Sequence, residues 1–241
     1  MQKILSREFN LRISDFDLNK NIKPSAVLDL FQEVASLHAN ELGVGFGDLI
    51  QNKLLWVLVR VKFEIVKAPL MHSKIIAKTW PLPAGRVSLQ REYLIEDAEG
   101  NTLIKGTSEW VTMHLETRKL VQNGVTYPLS EYCEDKNFTE RIKKIPDFEA
   151  SDEGIKIKPS YCDIDENMHV NNIRYADFVL NAYEPQNREE IAAFQMDFHK
   201  EVKMGDCVSL FMEKKENTLF AKGENKNGEK MFCCSLTFKN A

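Results

Sequence analysis

Asp15-Phe16-Asp17-Leu18-Asn19-Lys20-Asn21 and Asp163-Ile164-Asp165-Glu166-Asn167-Met168-His169 are two copies of one pattern, D-h-D-x-N with h apolar, and the offset from Asn21 to His169 is 148 residues. An internal echo of this kind points to a tandem duplication. Each copy is preceded by a segment of alternating apolar and polar residues, 9–13 in the first and 155–161 in the second, as half-buried strands show. Each is followed by helical periodicity.

In the first copy Pro24 suits an early helical position, and Val27, Leu30, Phe31, Val34, Ala35, His38 and Leu42 recur at steps of three and four up to Gly43. In the second, Ile173, Ala176, Val179, Leu180 and Tyr183 do the same until Pro185. A helix with one apolar face must be covered on that side. Strand-like segments supply the cover: 54–66, 74–80, 87–96 and 102–115 after the first helix, and 194–202, 207–214, 219–223 and 230–238 after the second. Glu99-Gly100-Asn101 and residues 225–228 carry turn signals between them. The pattern predicts an α+β chain of two similar units, each a long central helix wrapped by a curved antiparallel sheet. Pairing the units sheet edge to sheet edge hides strands otherwise open to water. The expected division is residues 1–127, a charged linker over 128–150, and residues 151–241.

Of the 241 residues 43% are apolar and 28% charged, which supports a sizeable core and excludes a disordered or low-complexity chain. The formal charge of -4 offers no global attraction to nucleic acid or to an anionic membrane, so no nucleic-acid partner is expected and an acidic partner needs a local basic patch. Arg141-Ile142-Lys143-Lys144 and the pair Lys156 and Lys158 are the candidates. No run approaches the roughly 20 apolar residues of a membrane span, and the N-terminus lacks the apolar stretch of a secretory signal, so a cytoplasmic protein is expected. Cys133, Cys162, Cys207, Cys233 and Cys234 form no C-x-x-C pair, and their odd number argues against a disulfide framework.

The second copy continues with Val170-Asn171-Asn172 and then Tyr175, and the run from Asp163 resembles the signature of acyl-ACP thioesterases, plant and bacterial enzymes that release fatty acids from acyl carrier protein. A second likeness to that family lies in Trp56-Val57-Leu58-Val59-Arg60, in Thr79-Trp80-Pro81, and from Trp110-Val111 to Glu116-Thr117-Arg118. The resemblance covers nearly the whole chain in order. It implies a double hotdog fold, with acyl-chain binding in a non-catalytic first half and the chemistry in the second. The implied substrate is a fatty acyl thioester on the phosphopantetheine arm of acyl carrier protein, and the family's catalytic residues fall on Asp165, Asn167, His169 and Glu201. Plant members often place a cysteine beside that glutamate; Val202 stands there, so no Cys nucleophile is expected. Because two fused halves already form the unit that other hotdog proteins build as a dimer, monomer and homodimer both stay open.

Thioester hydrolysis needs an activated water and a place for negative charge on the carbonyl oxygen. Glu201 suits a general base, His169 a proton carrier near neutral pH, and Asn167 a positioning group with both donor and acceptor; Asp165 suits orienting Asn167 and His169. A helix beginning near Val170 or Asn171 leaves backbone N–H groups free for an oxyanion, worth about 3 to 4 kcal/mol per donor. His169 has no partner at zinc-site spacing, so neither metal nor other cofactor is called for. In the first copy Asn21 stands in place of His169, and an amide cannot shuttle a proton, so the first half is expected to be chemically silent. Its helix face with Leu30, Phe31 and Val34, under strands around Trp56, Trp80 and Trp110, suits an apolar slot for the acyl chain. Taken singly, Asp165 and Asn167 equally suit a turn at a helix entry, His169 a satisfied histidine, and Glu201, near Lys200 and Lys203, a solvated charge. Two other functions fit the residues: hydrolysis of acyl-CoA, which shares the phosphopantetheine arm, and a non-catalytic acyl-thioester-binding module, which the fold alone permits.

Overall fold

Alternating apolar residues form the strands, and the apolar helix stripe lies across them. The computed structural model describes residues 2–149, 154–186 and 189–239, so the expected boundary at 150/151 lies outside the described residues. In the first half β1 (Leu5–Asn10) precedes α1 (Pro24–Glu41), a short α2 (Phe46–Gln51) and the strands β2 (Leu54–Ile65), β3 (Lys74–Pro81), β4 (Ser88–Asp97) and β5 (Thr102–His114), with β6 (Leu120–Val121) folding back on β5. In the second half β7 (Ile155–Ile157) precedes α3 (Arg174–Tyr183) and the strands β8 (Ile191–Phe198), β9 (Val208–Lys215), β10 (Thr218–Glu224) and β11 (Lys230–Phe238). The strands run in the order β1-β3-β4-β5-β2-β8-β11-β10-β9-β7, one sheet through both halves. The halves meet edge to edge where β2 pairs antiparallel with β8, Arg60 opposite Asp197 and Phe63 opposite Phe194. These are the two helix-and-sheet units that the duplicated pattern predicts, joined as the double hotdog that the family resemblance implies. No helix among the described residues is long and apolar enough to cross a membrane.

The echoed motif is first of all a backbone device. Asp17 N–H donates to the Asn21 carbonyl and Asp165 N–H to the His169 carbonyl, both at 2.9 Å. Each aspartate Oδ1 accepts the amide two residues on, from Asn19 at 2.8 Å and from Asn167 at 2.9 Å. Lys20 and Met168, the equivalent next residues, both take left-handed φ, 64° and 65°.

Four sequence expectations need correction. The second helix is not long: α3 has 10 residues against 18 in α1. Residues before it are held in a turn in which Asn171 Oδ1 accepts the Ile173 amide at 3.1 Å, and Glu184, left-handed ahead of Pro185, ends it. The strand expected over 194–202 begins at Ile191 and stops at Phe198, leaving Glu201 and Val202 in the following loop. The alternating segments before the motifs are shifted or shortened, as β1 begins at Leu5 and β7 spans three residues. The charged linker is a strap bound to the sheet. Asn137 donates to the Tyr93 and Gly106 carbonyls at 2.8 and 2.9 Å, Arg141 pairs with Glu109, and Ile145 N–H donates to Asp197 at 2.9 Å. Glu92, Glu109 and Asp197 alternate in their strands with core residues such as Tyr93, Ser108 and Met196, so the strap covers the face opposite the helices. Burial outweighs the hydrogen bonds from Thr107 and Asn137 and raises the Glu92 carboxyl above its ordinary range.

The core of the first half centres on Phe31 of α1, stacked on Tyr93 at 4.2 Å between ring centres and edge-on to Phe63 at 6.2 Å. Phe63 stacks in turn on Phe194 across the join, at 5.1 Å. Helix and sheet approach this closely because β5 has Gly106 beneath the ring, where an added Cβ would meet Phe31 carbons at 2.3 and 2.4 Å. Gly106→Ala is therefore expected to cost about 1 to 3 kcal/mol of stability through overpacking, read as a lower urea midpoint at unchanged m.

Candidate active site

Glu201 and His169 are brought together by a short antiparallel crossing of two loops. His169 bridges to Lys203, and Val170 N–H donates to the Val202 carbonyl at 2.7 Å. Val202 N–H in turn points to the hydroxyl of Tyr175 on α3, at 3.3 Å. Tyr175 is fixed by edge contacts to Phe178, Phe198 and Phe232, and burial pushes its phenol up to about 12. The loop is thus pinned to the core at Val202, whose side chain is 0% exposed, while Glu201 beside it is exposed. His169 Nε2 lies 3.0 Å from Glu201 Oε2.

The other Glu201 oxygen accepts from the Arg118 guanidinium, which comes from the turn between β5 and β6 in the first half. Arg118 stands at the end of one of the family-like segments, where nothing in the sequence assigns it a role. No local signal identifies it, because the contact joins residues 83 positions apart. A carboxylate held between a guanidinium and an imidazole is fixed in orientation by both oxygens.

The other predicted residues fall in different places. Asp165 serves the turn: its carboxylate accepts the Asn167 amide, and its link to His169 is through the backbone. Asn167 is exposed, and its side chain has no hydrogen-bond partner among the described residues. The amides of Val170 and Asn171, expected to be free at a helix start, are both spent, on the Val202 carbonyl at 2.7 Å and the Asp163 carbonyl at 2.8 Å. The reason is that α3 begins only at Arg174. The first amide in this stretch without a partner among the described residues belongs to Asn172.

Asn172 also lines a narrow cleft at the join of the halves, with an accessible volume of about 30 Å³. Its walls are Leu28, Phe31 and Gln32 of α1, Leu58 and Val61 of β2, Tyr93, Ser108 and Trp110 of β4 and β5, and Ile173 and Phe198 of the second half. His169 and Glu201 are not among the lining residues; Asn172, three residues after His169, and Phe198, three before Glu201, link the pair to the second-half end of the cleft. Of the predicted slot residues Phe31 lines it, whereas Val34 is fully buried and Leu30 packs against the main core. Trp56 belongs to a separate cluster with Leu42, Leu49 and Tyr127, and its indole N–H is given to the Val44 carbonyl at 2.9 Å. Trp80 packs in a third cluster with Leu82 and Cys133.

Against known proteins, residues 2–126 match the acyl-ACP thioesterase N-terminal domain and residues 148–237 the acyl-ACP thioesterase C-terminal domain. The chain belongs to the acyl-ACP thioesterase family. It is 29% identical to oleoyl-acyl carrier protein thioesterase 2, chloroplastic, of Arabidopsis thaliana, over 92% of this chain and 66% of that protein. It is 25% identical to an Arabidopsis palmitoyl-acyl carrier protein thioesterase over 82% of this chain and 52% of the relative. The chain thus spans just under two thirds, or about half, of the length of these plant relatives. Among solved structures, an acyl-ACP thioesterase from Bacteroides thetaiotaomicron superposes with a TM-score of 0.85 at 26% identity, covering 98% of each chain. The 12:0-ACP thioesterase from Umbellularia californica, at a TM-score of 0.82 and 18% identity over 99% of this chain and 98% of the other, agrees in fold.

Tyr175→Phe is expected to leave the Val202 amide unpaired and to cost about 1 to 3 kcal/mol. The local sign is faster hydrogen exchange at the Val202 amide than at amides of α3. Equal exchange in the two proteins would show that the hydroxyl does not hold this loop.

Proposed function

We propose that this chain hydrolyses the thioester of a fatty acyl chain carried on acyl carrier protein and releases the free fatty acid, with water as the nucleophile. Family membership supports the reaction class, and the observation that carries the reading is the Glu201 carboxylate shared by His169 and Arg118 beside an apolar cleft. In this reading Glu201 takes a proton from water as the oxygen adds to the thioester carbonyl carbon. The oxyanion meets the Asn172 amide, with the Asn167 side chain orienting the water or the carbonyl. The C–S bond then breaks as the oxyanion collapses, and the proton taken by Glu201 passes through His169 to the departing sulfur, which leaves a fatty acid and the carrier's thiol and restores the Glu201 carboxylate. Asp165 acts by holding the turn that carries Asn167 and His169. Arg118 keeps Glu201 aimed.

No cysteine takes part in these steps. Val202 is buried in the core, and burial holds the Cys233 thiol up at about 11 and Cys234 well above its ordinary range, so neither is a ready thiolate. We assign acyl-chain binding to residues 1–127 and the chemistry to the half that begins after the strap. One chain supplies every group named here, so a monomer suffices and a homodimer is compatible. A cytoplasmic setting belongs to the same reading.

The carrier partner is acidic in this reading, and the basic groups singled out from sequence are largely engaged: Arg141 with Glu109, Lys143 with Glu140, and Lys156 with the Ser209 hydroxyl. Lys119, next to Arg118, and Lys203, opposite His169, are exposed and lack an ion-pair partner among the described residues. They are better placed to meet a carrier at the reacting end of the cleft.

His169→Ala and Glu201→Gln should each lower turnover of acyl-ACP by a factor on the order of a hundred or more, while Asn21→Ala stays near wild type. An Asn21→Ala loss as deep as that of His169→Ala, or an acyl group trapped on any cysteine by mass spectrometry, would overturn the assignment. Charge reversal of Lys119 and Lys203 together should raise KM for acyl-ACP, less so at high salt, and spare a short acyl-pantetheine thioester. Equal losses on both substrates would remove these lysines from carrier docking.

A further inference from the structure

The first-half end of the cleft carries a hydrogen-bond count that does not close. Tyr93 Oη and Ser108 Oγ lie 3.0 Å apart, and the Trp110 indole N–H donates to the same Ser108 oxygen at 2.7 Å. Three protons, one on each hydroxyl and one on the indole, face two oxygens, and the two bonds use only two of them. If Ser108 donates to Tyr93, the tyrosine proton is left over; if Tyr93 donates, the serine proton is. Either way one hydroxyl proton has no acceptor among the described residues. Both residues are 1% exposed and both line the cleft, so the spare donor is out of bulk water and faces whatever fills the cavity.

A buried positive charge stands next to this pair. Arg91 lies opposite Ser108 in the pairing of β4 with β5 and is 4% exposed. Its guanidinium donates to His38 Nδ1 at 3.2 Å and Thr79 Oγ1 at 3.3 Å, and no carboxylate pairs with it among the described residues. His38 gives no compensating charge, because its Nε2 is 3.0 Å from the Gln2 carbonyl and its burial favours the neutral ring. The local field therefore favours an electron-rich oxygen.

The sheet order fixes where such an oxygen would sit. Tyr93, Ser108, Val61 and Phe198 lie on the successive neighbours β4, β5, β2 and β8, three strand spacings or about 14 Å from first to last. Phe198 is at the His169–Glu201 end and Tyr93 at the other. We propose that the cleft is built for an acyl chain that bears a hydrogen-bond-accepting oxygen, as a hydroxyl, keto or carboxyl group, remote from its thioester. The oxygen takes the spare Tyr93–Ser108 proton, which a plain hydrocarbon chain leaves unpaired. This rests on the thioester-hydrolase reading, and it names the substrate class of the same cleft.

The test is hydrolysis by the full chain of acyl-ACP thioesters of matched length, unsubstituted or carrying a hydroxyl, keto or carboxyl group near the far end. The expected result is a kcat/KM on the order of tenfold higher for at least one oxygenated chain, the scale of one hydrogen bond. In the double variant Tyr93→Phe, Ser108→Ala that ratio should fall by a comparable factor. A wild-type enzyme that hydrolyses the plain chain as well as or better than every oxygenated one overturns the inference, whether or not the variant folds, as does an unchanged ratio in a folded variant. Turnover of none of the set would instead sink the hydrolase reading. The cleft is then judged by calorimetric titration with free fatty acids: tighter binding of the oxygenated acid supports the inference and equal binding overturns it.

Discussion

A strand at a sheet edge leaves every second N–H and carbonyl without a partner, and two half-barrels of sheet each bring such edges into water. Here β2 and β8 resolve this by pairing with each other, and the rest of the molecule is arranged around that join. The aromatic row Phe31–Phe63–Phe194 crosses it on the helix side. On the other side Arg60 lies between Glu109 at 3.1 Å and Asp197 at 3.7 Å, with all three side chains largely buried. Ionic groups in such a place add little net stability, but removing one leaves an uncompensated buried charge, so the set favours a single register.

The cleft and the candidate active site are both products of that join. The cleft takes its floor from strands on either side of it and its cover from α1, with the entry of α3 at one end. Glu201 is held by His169 from its own half and by Arg118 from the other. The first half thus differs from the second in lacking a counterpart of His169, yet it supplies a cation to the second half's carboxylate. Duplication followed by divergence accounts for both: the turn geometry is kept in each copy, and the side chains it presents differ.

Much of this was legible in the chain. The D-h-D-x-N echo, the apolar stripe from Val27 to Leu42 and the alternating segments specify two helix-and-sheet units, because periodicity is a local property. The proximity of His169 and Glu201 was reached through family likeness, since no spacing in the sequence implies it. What escaped depends on tertiary hydrogen bonding. Whether the Val170 amide is free turns on Val202, 32 residues away, and the start of α3 turns on the Asn171 side chain. The charged stretch between the halves looks like a linker by composition, but the Arg141 guanidinium, the Ile145 amide and the Phe148 carbonyl are engaged by Glu109, Asp197 and Lys222 on distant strands. Tryptophans scattered through the first half look equivalent in sequence, and only the fold shows that Trp110 reaches the cleft, that Trp56 packs edge-on behind it and that Trp80 lies in another cluster.

The strap bears on how such proteins can be recombined. Because Asn137 and Arg141 close over strands of the first half while Ile145 and the Phe148 carbonyl bind strands of the second, it belongs to neither half alone. Chimeras that exchange halves between relatives to move chain selectivity have no neutral crossover point within it. A cut there joins one parent's strap to another parent's buried carboxylates. The unit of exchange is a half together with the strap residues that touch it, matched to Glu92 and Glu109 on one side and to Asp197 and Lys222 on the other.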